Sequence, residues 1–305
     1  MFKKAIPLII NYGRKCLGFL LFIICGIAIY KEAISNKNWA AFGVEIQQQL
    51  LQTTFIYWVI LLLLMGLNFM LEALKWKRVV EKNNPINFLK SLRSVFVGQA
   101  FAFFTPNRIG EYVGRTMFLE TGNKAKGVAQ MAWTSYAQLL VTIIIGTVAL
   151  FWNSPFFAWL KWVSPLIALF AIIIFFYDRQ WKGWLAVLNK LQIPTRSKII
   201  LLLLSFLRYG VFTFQYAWAA KMLGMDIPFW VLGSSIAVLF LFLSILPTIS
   251  ISELVVRGQL LLLILAPWYP NEGMIIVLSS LIWVVNFLIP AIIGTCLLLG
   301  FRLKQ

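Results

Sequence analysis

Apolar runs of helical length, separated by short clusters of Lys and Arg, make up most of the chain. About 20 predominantly apolar residues carry a helix across a bilayer. Runs of roughly that length fall at 16–30, 54–74, 127–151, 157–177, 199–220 and 273–300, which predicts six full spans. Pro290 is expected to kink the last of these. Residues 31–53 carry Lys31, Glu32, Lys37 and Glu45, whose charges cancel, and read as an outer loop.

Two segments do not fit the pattern. Segment 93–126 begins and ends with basic residues, and segment 227–272 lies between the outer ends of two spans. Each reads as a hairpin that enters the membrane and returns by the same face. The first arm of the first hairpin, 94–104, is too short to cross. The first arm of the second, 229–245, nearly suffices, so a plain eight-span arrangement stands as the alternative. Both segments contain a charged turn: TPNRIGEYVGR at 105–115 and LPTISISELVVR at 246–257. In each, a proline (Pro106, Pro247) ends the incoming helix, because it lacks a donor and clashes with the preceding turn. Small or polar residues follow (Asn107 and Gly110; Thr248, Ser250 and Ser252), which suit reversal and capping. A Glu then falls in the first turn of the outgoing helix, where its charge suits the dipole. An Arg comes four residues later, on the same face and within pairing reach. The pairs are Glu111–Arg115 and Glu253–Arg257.

Charge sets the expected orientation. Lys3, Lys4, Arg14 and Lys15 precede the first span, and Arg302 and Lys304 follow the last. Lys and Arg collect on the cytoplasmic side, so both termini are expected there, with a bacterial inner membrane fitting best. The first charged turn then enters from the cytoplasm and the second from outside. That is the pattern of an inverted repeat, with a first half at about 54–177 and a second at about 199–300. In transporters built this way, broken helices meet near mid-membrane and bind substrate at their ends.

Composition narrows the function. The chain is 61% hydrophobic and 12% charged, which excludes a soluble protein and makes residues 1–305 a single all-α integral membrane domain. The net charge of +17 is explained by cytoplasmic loops and anionic headgroups, so nucleic acid is not expected as a partner. The N-terminal apolar stretch lacks a small-x-small cleavage site and reads as a retained span. Cys16, Cys25 and Cys296 sit in apolar runs without metal or disulfide spacing, and read as packing residues. Histidine is absent, and the only aspartates, Asp178 and Asp226, lie far apart in loops. No metal site, cofactor or catalytic residue is therefore expected, and the chain does not read as an enzyme. Trp76, Trp152, Trp159, Trp181, Trp268 and Tyr269 are expected at interface depth.

Charges inside membrane segments are costly and usually functional. The candidate substrate-binding residues are Arg115, Glu111, Arg257 and Glu253, with Arg208 inside LLLLSFLRYGVF and Arg108 in the first turn. Snorkelling is the rival reading for Arg208 and headgroup contact for Arg108. Pro106, Gly110 and Pro247 are the expected structural turn residues.

The stretches EALKWKRVV (72–80), VFVGQAFAFFTPNRIGEYVGRTMFL (95–119) and the turn at 247–257 resemble the lysylphosphatidylglycerol synthase transmembrane-region family, a group of flippase-like membrane domains. The matching positions are Trp76, Gly98, Pro106, Arg108, Gly110, Glu111 and Arg115. Two features depart from the family: WTSYAQLLV (133–141) lacks its acidic and basic residues, and the second turn lacks its glycines. In the multiple peptide resistance factors this membrane region precedes a soluble aminoacyl-transferase domain, which is absent from this sequence. The resemblance implies lipid translocation, with membrane lipids of anionic or polyprenyl headgroup as partners and a homo-oligomer left open. Arginines suit a lipid phosphate. A small-solute or ion carrier and a non-transporting scaffold are the alternatives. A carrier of solutes predicts a closed pocket; a scaffold predicts buried ion pairs with no cavity beside them.

Overall fold

The computed structural model describes residues 39–81, 83–105, 108–120, 124–153, 159–177, 192–246 and 250–299. The expected first span at 16–30, Cys16, Cys25, Pro106, Asn107, Pro247, Thr248, Trp181 and both termini lie outside the described residues. Every regular element among those described is helical. In chain order they are α1 (Trp39–Gln52), α2 (Phe55–Val80), α3 (Phe88–Phe103), α4 (Gly110–Thr116), α5 (Lys124–Asn153), α6 (Leu160–Phe176), α7 (Thr195–Met222), α8 (Phe229–Ile245), α9 (Ser250–Leu265), α10 (Glu272–Trp283) and α11 (Ile289–Leu299). Val284–Leu288 joins α10 to α11 as one π-helical turn.

Four helical stretches are long and apolar enough to cross a membrane: Phe55–Val80, Lys126–Trp152, Thr195–Met222 and Glu272–Leu299. The chain is thus a helical membrane protein. These stretches correspond to four of the spans expected from the apolar runs, and α6 is a shorter apolar helix at the position of a fifth. Their outward faces are greasy: Leu63, Leu166, Phe170, Leu203 and Phe206 are all exposed. The turn-bearing segments are broken helices. Arms α3 and α8 have 16 and 17 residues, about 24–26 Å at 1.5 Å per residue. The returning arms differ, α4 having 7 residues and α9 having 16.

Three expectations need correction. Residues 39–52, expected as loop, form α1; the connecting Thr53 donates from its hydroxyl to the Met222 carbonyl at 3.3 Å, which ties the end of α1 to the end of α7. Trp76 is fully buried in the core rather than outward-facing, whereas Trp152, Trp159 and Trp268 are exposed. Cys296 is exposed rather than packed. The helix continues through Pro290, preceded by the π-helical turn at Val284–Leu288.

The packing is reciprocal. α2 lies along α7; α3 packs on α11, and α8 packs on α5. Each incoming arm therefore rests on the helix that follows the other broken hairpin. A glycine makes each crossing close. A Cβ on Gly294 of α11 would lie 1.9 Å from the Phe96 carbonyl oxygen of α3, and one on Gly146 of α5 would lie 2.8 Å from the Leu241 Cβ of α8. Both glycines sit in the same tetrapeptide, Ile-Ile-Gly-Thr, at 144–147 and 292–295.

Candidate functional site

The first turn is shaped by close backbone approach. A Cβ on Gly110 would lie 2.3 Å from the Phe101 carbonyl oxygen, so only glycine fits there. Thr105 Oγ1 accepts from the Gly110 amide at 2.8 Å and so bonds the start of α4 to the end of α3. Gly114 faces Gly98 across the hairpin so closely that a Cβ on Gly114 would lie 2.7 Å from the Gly98 Cα. That closeness lets the Arg115 stem run past Gly98 toward α2. Arg108 adopts φ +57°, the left-handed region uncommon for a side chain of this size. It reaches back to donate to Gln99 Oε1 at 2.5 Å.

Both expected i, i+4 ion pairs are formed: Glu111 with Arg115, and Glu253 with Arg257. Arg115 is 1% exposed and also binds a carboxylate that the two turn motifs do not include, Glu72 of α2, at 2.9 Å. Glu72 gathers two more cations: Arg208 of α7 at 2.9 Å and Lys75 at 3.0 Å. Arg208 further donates to Asn68 Oδ1 at 2.6 Å, and Lys75 to Gln138 Oε1 of α5 at 3.2 Å. Arg208 thus does not snorkel; it ties α7 to α2. In the second turn Arg257 donates to the Tyr216 hydroxyl at 2.9 Å.

The two turns meet. One cavity of about 540 Å³ is lined by Arg108 from the first turn, Glu253 and Arg257 from the second, and Arg208 between them. Phe287, in the π-helical turn, carries both motifs: the Arg108 guanidinium lies 4.9 Å from its ring centroid and the Arg257 guanidinium 5.3 Å. Such contacts are attractive, more so when desolvated. Arg108 is therefore a cavity residue rather than a surface contact. Arg115 and Glu111 do not line the cavity. They stand behind it and connect through Glu72 to Arg208, and through a 3.8 Å approach of Glu111 to Arg108.

The rest of the lining mixes apolar side chains, Phe212, Phe240, Leu243, Ile245 and Leu246, with Gln138, Thr142, Tyr209 and Ser244. Ser244 and Ile245 are exposed, Ile245 by 70%, so the cavity opens at the end of α8. Several donors in and behind the cavity lack an acceptor: Arg108 Nε, Arg257 Nε, Arg115 Nε and Gln99 Nε2 are buried without hydrogen-bond partners. Buried donors are normally paired. The described residues hold no cluster of acidic, Cys or His side chains suited to a metal ion.

Sequence reasoning missed Glu72, Lys75 and Phe287. The charge pattern places Glu72 and Lys75 at the cytoplasmic end of a span, yet they are 6% and 1% exposed. A signal existed: Asn68, Glu72 and Lys75 fall at i, i+4 and i+7, a single polar stripe on an apolar helix. Phe287 carried no such signal among so many phenylalanines. No family model matches the chain, and no curated protein matches it.

Proposed function

We propose that this protein moves a lipid across the membrane, its headgroup held by the two charged turns. The observation that carries this reading is one cavity to which both turns contribute arginine and whose lining combines these cations with apolar side chains. That lining matches an amphiphile. A phosphate-bearing headgroup would pair with Arg108, Arg208 and Arg257, whose forked donors suit phosphate oxygens. The acyl chains would leave past Phe212, Leu243 and Ile245 toward the exposed apolar surface. Glu253 holds Arg257, and Glu72 holds Arg208, when no headgroup is bound.

The reciprocal packing of α3 on α11 and α8 on α5, with the same tetrapeptide at both crossings, supports an internal duplication. The basic residues outside the spans favour opposite entry of the two turns, hence an inverted repeat of six spans and two re-entrant hairpins, with both termini cytoplasmic in a bacterial inner membrane. Alternating access in such folds comes from one repeat rocking against the other. The resemblance to the lysylphosphatidylglycerol synthase transmembrane region points the same way. The cavity beside the ion pairs favours this reading over a scaffold, and its opening at Ile245 favours it over a solute carrier.

Lipid scrambling in proteoliposomes tests it. Vesicles carrying tail-labelled phosphatidylglycerol, phosphatidic acid or polyprenyl phosphate are treated with a membrane-impermeant quencher. The purified protein is expected to expose the inner-leaflet label, and Arg257→Gln to slow this at least tenfold while remaining folded. No movement of any of these lipids would overturn the proposal.

A further inference from the structure

The charges around the cavity do not balance. Among the described residues, the cavity lining and the network of ion pairs and hydrogen bonds joined to it hold five cations, Lys75, Arg108, Arg115, Arg208 and Arg257. Three carboxylates face them: Glu72, Glu111 and Glu253. Two positive charges are left over. Every carboxylate already serves at least one cation, and Glu72 serves three. The excess falls on the cavity side, because Arg108 and Arg257 both line the cavity and each has, among the described residues, a single carboxylate within ion-pair distance. Both guanidinium groups lie against the same ring, that of Phe287, and line the same cavity, so a headgroup held in that cavity meets both charges. Burying uncompensated charge is expensive. A ligand that cancels both charges is favoured over one that cancels a single charge.

We infer that the cavity selects a lipid whose headgroup is a phosphomonoester, a dianion at neutral pH, over one whose phosphate is a singly charged diester. The inference rests on the lipid reading above and specifies its substrate class. A phosphomonoester loses its second proton with a pKa of about 6. It presents three acceptor oxygens on one phosphorus, against two for a diester. The additional negative charge meets the remaining positive charge in a partly desolvated site. Coulomb's law at an effective dielectric of about 20 and a separation of about 6 Å makes that worth on the order of a hundredfold in affinity. Desolvating the second charge takes part of it back, leaving a preference of roughly tenfold or more.

The test uses the full chain in detergent and three probes: dioctanoyl phosphatidic acid, dioctanoyl phosphatidylglycerol and inorganic phosphate. Binding is read by calorimetry at pH 8 and pH 5, beside the scrambling assay. Phosphatidic acid is expected to bind at least tenfold tighter than phosphatidylglycerol at pH 8, and the ratio to shrink at pH 5, where the monoester is singly charged. Arg257→Gln removes one excess charge and is expected to abolish the ratio. Arg108→Gln, on the more exposed wall, provides the same reading if Arg257→Gln does not fold. Equal affinity for the two lipids at pH 8, with both scrambled, overturns the inference and leaves lipid transport standing. A tenfold preference without scrambling supports the headgroup assignment and overturns transport. Inorganic phosphate binding as tightly as phosphatidic acid overturns selection of a lipid and assigns the site to a soluble anion.

Discussion

Glu72 is the residue whose neutralisation reaches furthest. Its carboxylate touches Arg115, Arg208 and Lys75 at 2.9–3.0 Å and joins α2, α4 and α7. In Glu72→Gln the shape is kept and the charge lost, so three cations face one another across an amide. Removing one partner of a buried ion pair costs about 3–5 kcal/mol. Each cation retains a second contact: Arg115 keeps Glu111, Arg208 keeps Asn68, and Lys75 keeps Gln138. The expected loss therefore lies at the lower end, about 3 kcal/mol. Glu111→Gln leaves Glu72 in place and touches a more accessible side chain, so about 1–2 kcal/mol is expected. Equilibrium unfolding in mixed micelles, followed by tryptophan fluorescence, measures both. Adding Lys75→Met to Glu72→Gln removes one uncompensated cation and should recover about 1 kcal/mol. Glu72 is not the electrostatic hub if Glu72→Gln is no more destabilising than Glu111→Gln, or if the second substitution makes it worse.

Two further outcomes follow from the backbone. Gly294→Ala places a methyl 1.9 Å from the Phe96 carbonyl and should destabilise by about 3 kcal/mol, the upper part of the overpacking range. Gly258→Ala, which meets nothing within 4 Å, should be neutral or gain up to about 1 kcal/mol in the same unfolding assay. Arg108→Gly relieves a left-handed backbone worth about 1 kcal/mol but removes a cavity cation. Stability should hold within about 1 kcal/mol while scrambling falls at least tenfold, a separation that a purely structural arginine would not give.

The long helices were legible because apolar runs of bilayer length admit few other structures. The Glu–Arg pairs were legible because i, i+4 neighbours meet on any helix. α1 was missed: WAAFGVEIQQQLLQ is too polar to read as a span, although its Ala, Glu, Gln and Leu are good helix formers. Trp76 illustrates a different limit. An aromatic beside basic residues looks like an interface anchor, and only the fold shows α4 laid over it, with the Arg115 guanidinium 5.9 Å from its ring. The Glu72–Arg208 pair spans 136 positions in the chain, and no local spacing encodes it. What local spacing did carry was the stripe of Asn68, Glu72 and Lys75, which fixes a polar face without saying what meets it.

The crossed packing has a consequence for how the chain is made. When α8 emerges, its partner α5 has already been synthesised. α3 has no such luck, because the face that Phe96 presents to Gly294 stays uncovered for about 200 residues. At about 5–20 residues per second that is a wait of roughly 10–40 s. During it, the first hairpin is held by the helix before it, through Glu72 and Arg115, and then by α5, which packs on α4. The ion pair that serves the finished site is thus also the early mooring of a segment whose permanent berth arrives near the end of translation of the described helices.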